Sequence, residues 1–306
     1  MDTRKPLNMR ESSASTVISA FTPRTESRVP SRSIGAILVD AGRMSAEQTE
    51  AVLRYQRQHA MPFGDAAVKL AVVTPADIEY ALAQQFEYPY LIDSQSPVSR
   101  TIIAAYEPFS PQVEALRSLR TQLLLRLFGS DRKHGRLAIT SADPGDGRSY
   151  LAANLAVVFS QLGEKTLLID ADMRSPTQHT LFGLDTRAGL SSVLSGRSGL
   201  EAIQRVPSMI DLSLLASGPK PPNPQELLGR PIFTQLLDEV SIDYDVVIID
   251  TPPGSQHSEA LTVASRAGAA LLVARKDYSR VSGLQDMTQS MSQARITVVG
   301  AVLNDF

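Results

Sequence analysis

Two apolar runs that each end in aspartate constrain this chain most: Thr166-Leu167-Leu168-Ile169-Asp170 and Val246-Val247-Ile248-Ile249-Asp250. Neither alternates apolar with polar residues. A strand without that alternation is buried on both faces, which is the condition of parallel sheets covered by helices. Similar runs lie at 137–140, 212–215, 269–274 and 297–303. Helical stretches fall between most of them, at 149–162, 226–240, 258–266 and 281–293, with a further one at 111–128. The pattern predicts an α/β domain over 111–306, its mostly parallel sheet covered by helices on both faces.

After the run at 137–140 comes Ser141-Ala142-Asp143-Pro144-Gly145-Asp146-Gly147-Arg148-Ser149, which opens a helix that continues with Tyr150. A glycine-bearing turn between strand and helix lets successive N–H groups point at phosphate oxygens, and the helix N-terminus adds partial positive charge. Ser149 stands where a hydroxyl would ligate magnesium. In a parallel sheet all strand C-termini share one edge. Asp170, Asp172 and Arg174 after one run, and Asp250 after the other, therefore converge on the phosphate loop. Taken singly, each acid is as well explained as a helix cap; the three motifs together point to bound nucleotide and a cation.

These motifs resemble the bacterial tyrosine kinases of polysaccharide export, relatives of the MinD, ParA and Mrp ATPases. The resemblance covers about 110–306 and extends to Glu114-Ala115-Leu116-Arg117-Ser118-Leu119-Arg120-Thr121, to Ser217-Gly218-Pro219 with Pro222-Asn223-Pro224-Gln225-Glu226-Leu227-Leu228, and to Gly300-Ala301-Val302-Leu303-Asn304. With the Asn-Asp-Phe ending it is nearest to the EpsG-type, chain-length-determinant kinases of exopolysaccharide systems. It implies an ATP-dependent protein-tyrosine autokinase of the P-loop NTPase fold that controls polymer length and export. ATP and Mg2+ are the implied ligands. Pro144, Gly145, Asp146, Gly147, Arg148, Ser149 and Tyr150 would cradle the phosphates, and Asn304 would lie near adenine. Ser149, Asp170 and Asp250 would serve the metal. Asp170, Asp172, Arg148 and Arg174 would carry catalysis, Asp172 orienting or deprotonating a tyrosine hydroxyl and Arg174 pairing with acids or phosphates. Glu114, Arg117 and Arg120, spaced by three on one helix face, would join like subunits.

Two features depart from the family pattern. Arg148 replaces the phosphate-loop lysine, exchanging a point charge for a planar fork. It is either a tolerated variant or the mark of a catalytically weak scaffold or switch that still binds nucleotide. The family's C-terminal tyrosine cluster has no counterpart, and Tyr88 and Tyr90, the nearest to one, suit packing better. MinD and ParA carry an additional early lysine where this chain has Asp143, which disfavours a MinD- or ParA-like positioning ATPase.

The chain has 306 residues, enough for two domains. Residues 1–31 are rich in Ser, Thr and Arg and read as a disordered leader. At 32–92 a repeat with a 29-residue offset relates Ile34-Gly35-Ala36-Ile37-Leu38-Val39 to Phe63-Gly64-Asp65-Ala66-Ala67-Val68. Each copy reads as a short helix, a turn and a longer helix, with Ser45 and Thr74 as N-caps and Glu47 and Asp77 as their acidic partners. The repeat resembles the N-terminal domain of type II secretion and pilus ATPases, some of which bind cyclic di-GMP. The arginine positions of that motif are Ser33 and Pro62 here, with Arg32 one residue early, so a protein-docking or structural role is favoured over cyclic di-GMP binding. Residues 93–110 read as a linker.

The absence of cysteine excludes disulfides, thiolate metal sites and a Cys nucleophile. The net charge of -2 offers no electrostatic case for nucleic acid. No apolar run is long enough to span a membrane. The expectation is therefore a cytoplasmic protein recruited to the inner membrane by a separate chain-length or co-polymerase partner.

Overall fold

A computed structural model describes residues 32–86, 89–91, 96–128, 135–207 and 209–305. The expected leader, Tyr88, most of the charged turn before the first strand, and Phe306 lie outside them.

The N-terminal repeat forms four helices: α1 (Ile34–Asp40), α2 (Ala46–His59), α3 (Phe63–Lys69) and α4 (Pro75–Gln85). Ser45 and Thr74 both close capping boxes, but the partner of Ser45 is Gln48 rather than Glu47, because the reciprocal bond is made from the third helical position. The buried core obeys the 29-residue offset throughout: Ile37 with Ala66, Leu38 with Ala67, Met44 with Val73, Val52 with Ala81. Gly35 and Gly64 admit Thr49 and Ile78, again 29 residues apart, at distances that leave little room for a Cβ. The repeat is thus carried in the core itself.

The stretch expected as a linker belongs to the α/β core from Val98 onward. It carries α5 (Ile103–Tyr106), and Val98, Ile102, Ala104 and Ala105 are all buried. Backbone groups of Ala104 bond the side chains of Asn154 and Gln161. The next helix, α6 (Pro111–Leu123), ends in a π turn at Leu124–Phe128.

Strand β1 (Gly135–Ser141) leads into α7 (Arg148–Ser160), and β2 (Thr166–Asp170) into the short helices α8 (Gln178–Phe182) and α9 (Leu190–Leu194). Then come β3 (Gln204–Arg205), β4 (Leu212–Leu215), α10 (Pro224–Gly229), α11 (Pro231–Asp243) and β5 (Val246–Asp250). The chain closes with α12 (Glu259–Ala267), β6 (Ala269–Arg275), α13 (Val281–Gln293) and β7 (Thr297–Asn304). The helix expected over 226–240 is two helices. Arg230, preceding Pro231, is held extended, which ends α10 and starts α11 in a new direction.

The seven strands run in the order β3-β4-β2-β5-β1-β6-β7. All neighbours are parallel except β3, which pairs antiparallel with β4 and was not legible as a strand. One apolar cluster joins α5, α6 and α7 to one sheet face, and a second joins α9 to α13 to the other. Helix α7 lies sandwiched between sheet and outer helices, so its residues Leu151–Ser160 are buried around the whole circumference. Register then decides the site: Asp170 stands directly beside Asp250 at the end of β2 and β5.

Candidate nucleotide and cation site

The loop from β1 to α7 needs two left-handed residues, and glycines supply both: φ is +83° at Gly145 and +93° at Gly147, the N-cap of α7. Asp146 is fully buried and ties the loop together. Its carboxylate accepts from Asp143 N at 3.1 Å and Ser279 Oγ at 2.6 Å, and its carbonyl from Asn304 Nδ2 at 2.8 Å. Asp146 and Asn304, both expected to touch nucleotide, thus also hold the loop in shape.

Arg148 is buried, and burial lowers the pKa of its guanidinium, against the pull of Asp250, Asp172 and Asp146. Its Nε donates to Thr251 O at 2.9 Å, and Nη1 donates to Ser141 Oγ at 2.5 Å and Asp143 O at 2.9 Å. A lysine ammonium has no fork with which to bridge β1, the loop and the end of β5 in this way. Arginine at this position therefore clamps the phosphate loop to the β5 terminus.

Asp170 is buried, and its carboxyl is pushed well above the usual range by burial and then by the charge of Asp250. Backbone N–H groups of Asp172, Thr177 and Gln178 donate to it and hold it in place. Asp250 is raised to about 6 by burial, with the nearby Ser149 hydroxyl and the hydrogen bond from Gln178 Nε2 acting in the opposite direction. Its Oδ1 is buried without a hydrogen-bond partner. Two buried carboxylates side by side, one with an orphaned oxygen, next to the Ser149 hydroxyl, form a hard oxygen set. Such a set fits magnesium held by one or two carboxylates together with phosphate oxygens.

Asp172 turns one carboxylate oxygen onto the backbone N–H groups of Arg174 and Ser175. Arg174 is held by Glu259 in a bidentate pair, at 2.7 Å for its shortest contact, with the Glu259 side chain only 1 % exposed. The acid that Arg174 meets is Glu259, because a buried glutamate needs a cation. Glu259 was missed in the sequence; so was Gln178, whose amide reaches both Asp250 and Ser149. Neither belongs to a motif, and no periodicity marks them.

Gly145, Gly147, Ser149, Tyr150 and Asn304 open onto a cavity of about 910 Å³ whose far wall includes Ala115 and Leu119 of α6. Of the α6 residues expected at a subunit interface, Glu114 and Arg117 pair with each other on the surface at 3.0 Å. Arg120 instead turns inward and donates to Val158 O at 2.6 Å near the end of α7. The carbonyls of a helix C-terminus attract a cation, which explains the difference. No helix among the described residues is long and apolar enough to cross a membrane.

A central β1 flanked by β5 and β6, a phosphate loop opening α7, and two acid-ending strands define a P-loop NTPase. The ParA family model, described as NUBPL iron-transfer P-loop NTPase, matches residues 133–305. The tyrosine-protein kinase YwqD of Bacillus subtilis is 39% identical over 209 residues, 68% of this chain and 87% of that protein. The chain belongs to the bacterial tyrosine kinases of the ParA-type P-loop NTPases. The kinase domain of Escherichia coli Etk superposes with a TM-score of 0.66 at 34% identity, covering 72% of this chain and 85% of that one. EpsB of Ralstonia solanacearum is 36% identical over 66% of this chain, but the match spans only 27% of EpsB. A Pyrococcus horikoshii MinD structure, at 23% identity and a TM-score of 0.50, shares the fold.

Proposed function

We propose that this chain is an ATP-dependent protein-tyrosine autokinase that regulates the chain length, polymerisation and export of an exopolysaccharide. The observation that carries the reading is the juxtaposition of Asp170 and Asp250 beside Ser149, which itself lines a cavity large enough for a nucleotide. ATP occupies that cavity, its phosphates against the Gly145–Ser149 loop and its base toward Asn304. Ser149 and Asp250 would hold magnesium, which when bound would supply neutralisation of phosphate charge. In the transfer the tyrosine oxygen bonds to the γ-phosphorus, the bond from that phosphorus to the β,γ-bridging oxygen breaks, and ADP leaves. The tyrosine proton passes to Asp170 or Asp172. Such catalysis is chiefly positioning and charge stabilisation, which a rigid loop and fixed carboxylates provide.

The protein works in the cytoplasm, brought to the inner membrane by a separate chain-length protein. Like subunits meet through α6, by Glu114, Arg117 and Arg120, the last of which also bonds Val158 O. The N-terminal repeat docks a protein partner. Cyclic di-GMP is the less favoured ligand, since Ser33 and Pro62 serve as N-caps and Arg32 is paired with Asp40.

Incubation with labelled ATP and magnesium, with and without the membrane partner's cytoplasmic tail, tests this. Phosphotyrosine that disappears in Asp170→Asn is the expected result. Nucleotide binding without label on tyrosine, with or without that tail, refutes the kinase reading. It leaves the second one, a nucleotide-dependent scaffold, which the engagement of Arg148 with Ser141, Asp143 and Thr251 favours.

A further inference from the structure

Gln178 touches all three residues assigned to the cation side of the site. Its backbone N–H donates to Asp170 Oδ2 at 3.0 Å, and its side-chain Nε2 donates to Asp250 Oδ2 at 2.7 Å and to the carbonyl of Ser149 at 3.1 Å. The residue is fully buried. The other end of its amide, Oε1, is buried with no hydrogen-bond partner among the described residues, and Asp250 Oδ1 is in the same condition.

A buried acceptor left unsatisfied is destabilising, because it has given up its bonds to water. Two such oxygens, on side chains already joined to each other through Nε2, call for one ligand that satisfies both. A hydrated divalent cation does so: the metal binds a carboxylate oxygen, and a water in its shell donates to an amide oxygen. An amide is suited to this position. It donates to Asp250 without adding a third negative charge beside the neighbouring Asp170 and Asp250 carboxylates. A hydrocarbon side chain would leave Asp250 Oδ2 without its donor.

We propose that Gln178 is a positioning residue for the divalent cation. Through Nε2 it fixes the Asp250 carboxylate against the first turn of α7, and through Oε1 it accepts a hydrogen bond from water bound to the cation. The inference rests on the assignment of Ser149 and Asp250 to the metal. Loss of a group that orients a metal ligand weakens metal affinity by about 10–100-fold.

The test uses the full chain with ADP, so that no turnover intervenes, and Mn2+ as the probe. Free Mn2+ is titrated by electron paramagnetic resonance in wild type, Gln178→Met and Gln178→Asn. ADP affinity is measured separately by calorimetry in EDTA. The expected result is a loss of about tenfold or more in Mn2+ affinity in both variants, with ADP affinity in EDTA unchanged. A purely structural role for Gln178 would not separate those two quantities. Either variant suffices should the other misfold. A variant that binds ADP normally and binds Mn2+ as wild type does overturns the role of Gln178 alone. Wild type that binds ADP but no Mn2+ overturns the metal assignment and the inference with it.

Discussion

Asp250→Asn should make the nucleotide-free protein more stable, and the gain should depend on pH. Asp250 is fully buried, and its carboxyl titrates at about 6 instead of 3.8. A difference of about two pH units corresponds to roughly 3 kcal/mol of folding free energy, at 1.36 kcal/mol per unit. The sign follows from the direction. Below about pH 4 the group is protonated in both folded and unfolded chains, so its burial carries no ionic cost. Between about pH 4 and 6 the unfolded chain ionises while the folded chain keeps its proton, so stability falls, and the loss is complete once pH has risen through about 6. Asparagine keeps the shape and can still accept from Gln178 Nε2, whose bond to the aspartate is 2.7 Å. For a domain of this size about 1 kcal/mol moves Tm by roughly 2–4 °C, so a gain of about 6–12 °C is expected at pH 8. That gain should shrink toward zero near pH 4. The assay is differential scanning calorimetry without nucleotide or metal. If Asp250→Asn melts at or below wild type at pH 8, or if the gap is indifferent to pH, the account of the carboxylate pair is wrong.

Ala71 sits at φ +54°, where its repeat partner is Gly42 at +67°, so Ala71→Gly should stabilise α3 and α4 by about 0.5–1 kcal/mol, read as slower amide hydrogen exchange. Gly189→Ala should abolish soluble folding or cost more than about 3 kcal/mol in urea unfolding, because a Cβ there would meet Ala216 O at 2.2 Å and Gly218 N at 2.5 Å. Arg174→Ala strips the buried Glu259 of its cation and should cost about 3 kcal/mol, measured in the same way. Adding Glu259→Gln should recover part of that loss; a double variant no more stable than the single one would deny the pairing.

Much of the α/β domain follows from local pattern. A strand such as 246–250 has no polar face, so it can only be a strand covered on both sides, and the aspartate closing it can only fall at the sheet's C-terminal edge. The phosphate loop is equally local, since Gly145 and Gly147 adopt angles that other residues resist. The offset of 29 residues likewise fixed which side chains fill the N-terminal core. Other features rest on contacts distant in sequence. The stretch around Ala104 is rich in turn residues at its ends and reads as a linker; only the apolar surface of α7 and the bond from Ala104 N to Asn154 make it core. Arg120 shares a helical face with Arg117, yet a carbonyl at the end of another helix draws it inward. Arg174 is expected to pair with acids or phosphates, and the acid it meets, Glu259, lies 85 positions away. Gln178 carries no motif at all. Backbone angles, period and burial on two faces are properties of short segments, so sequence determined them. Which partner a buried polar group finds depends on what the fold brings within 3 Å, and only the tertiary structure decided that.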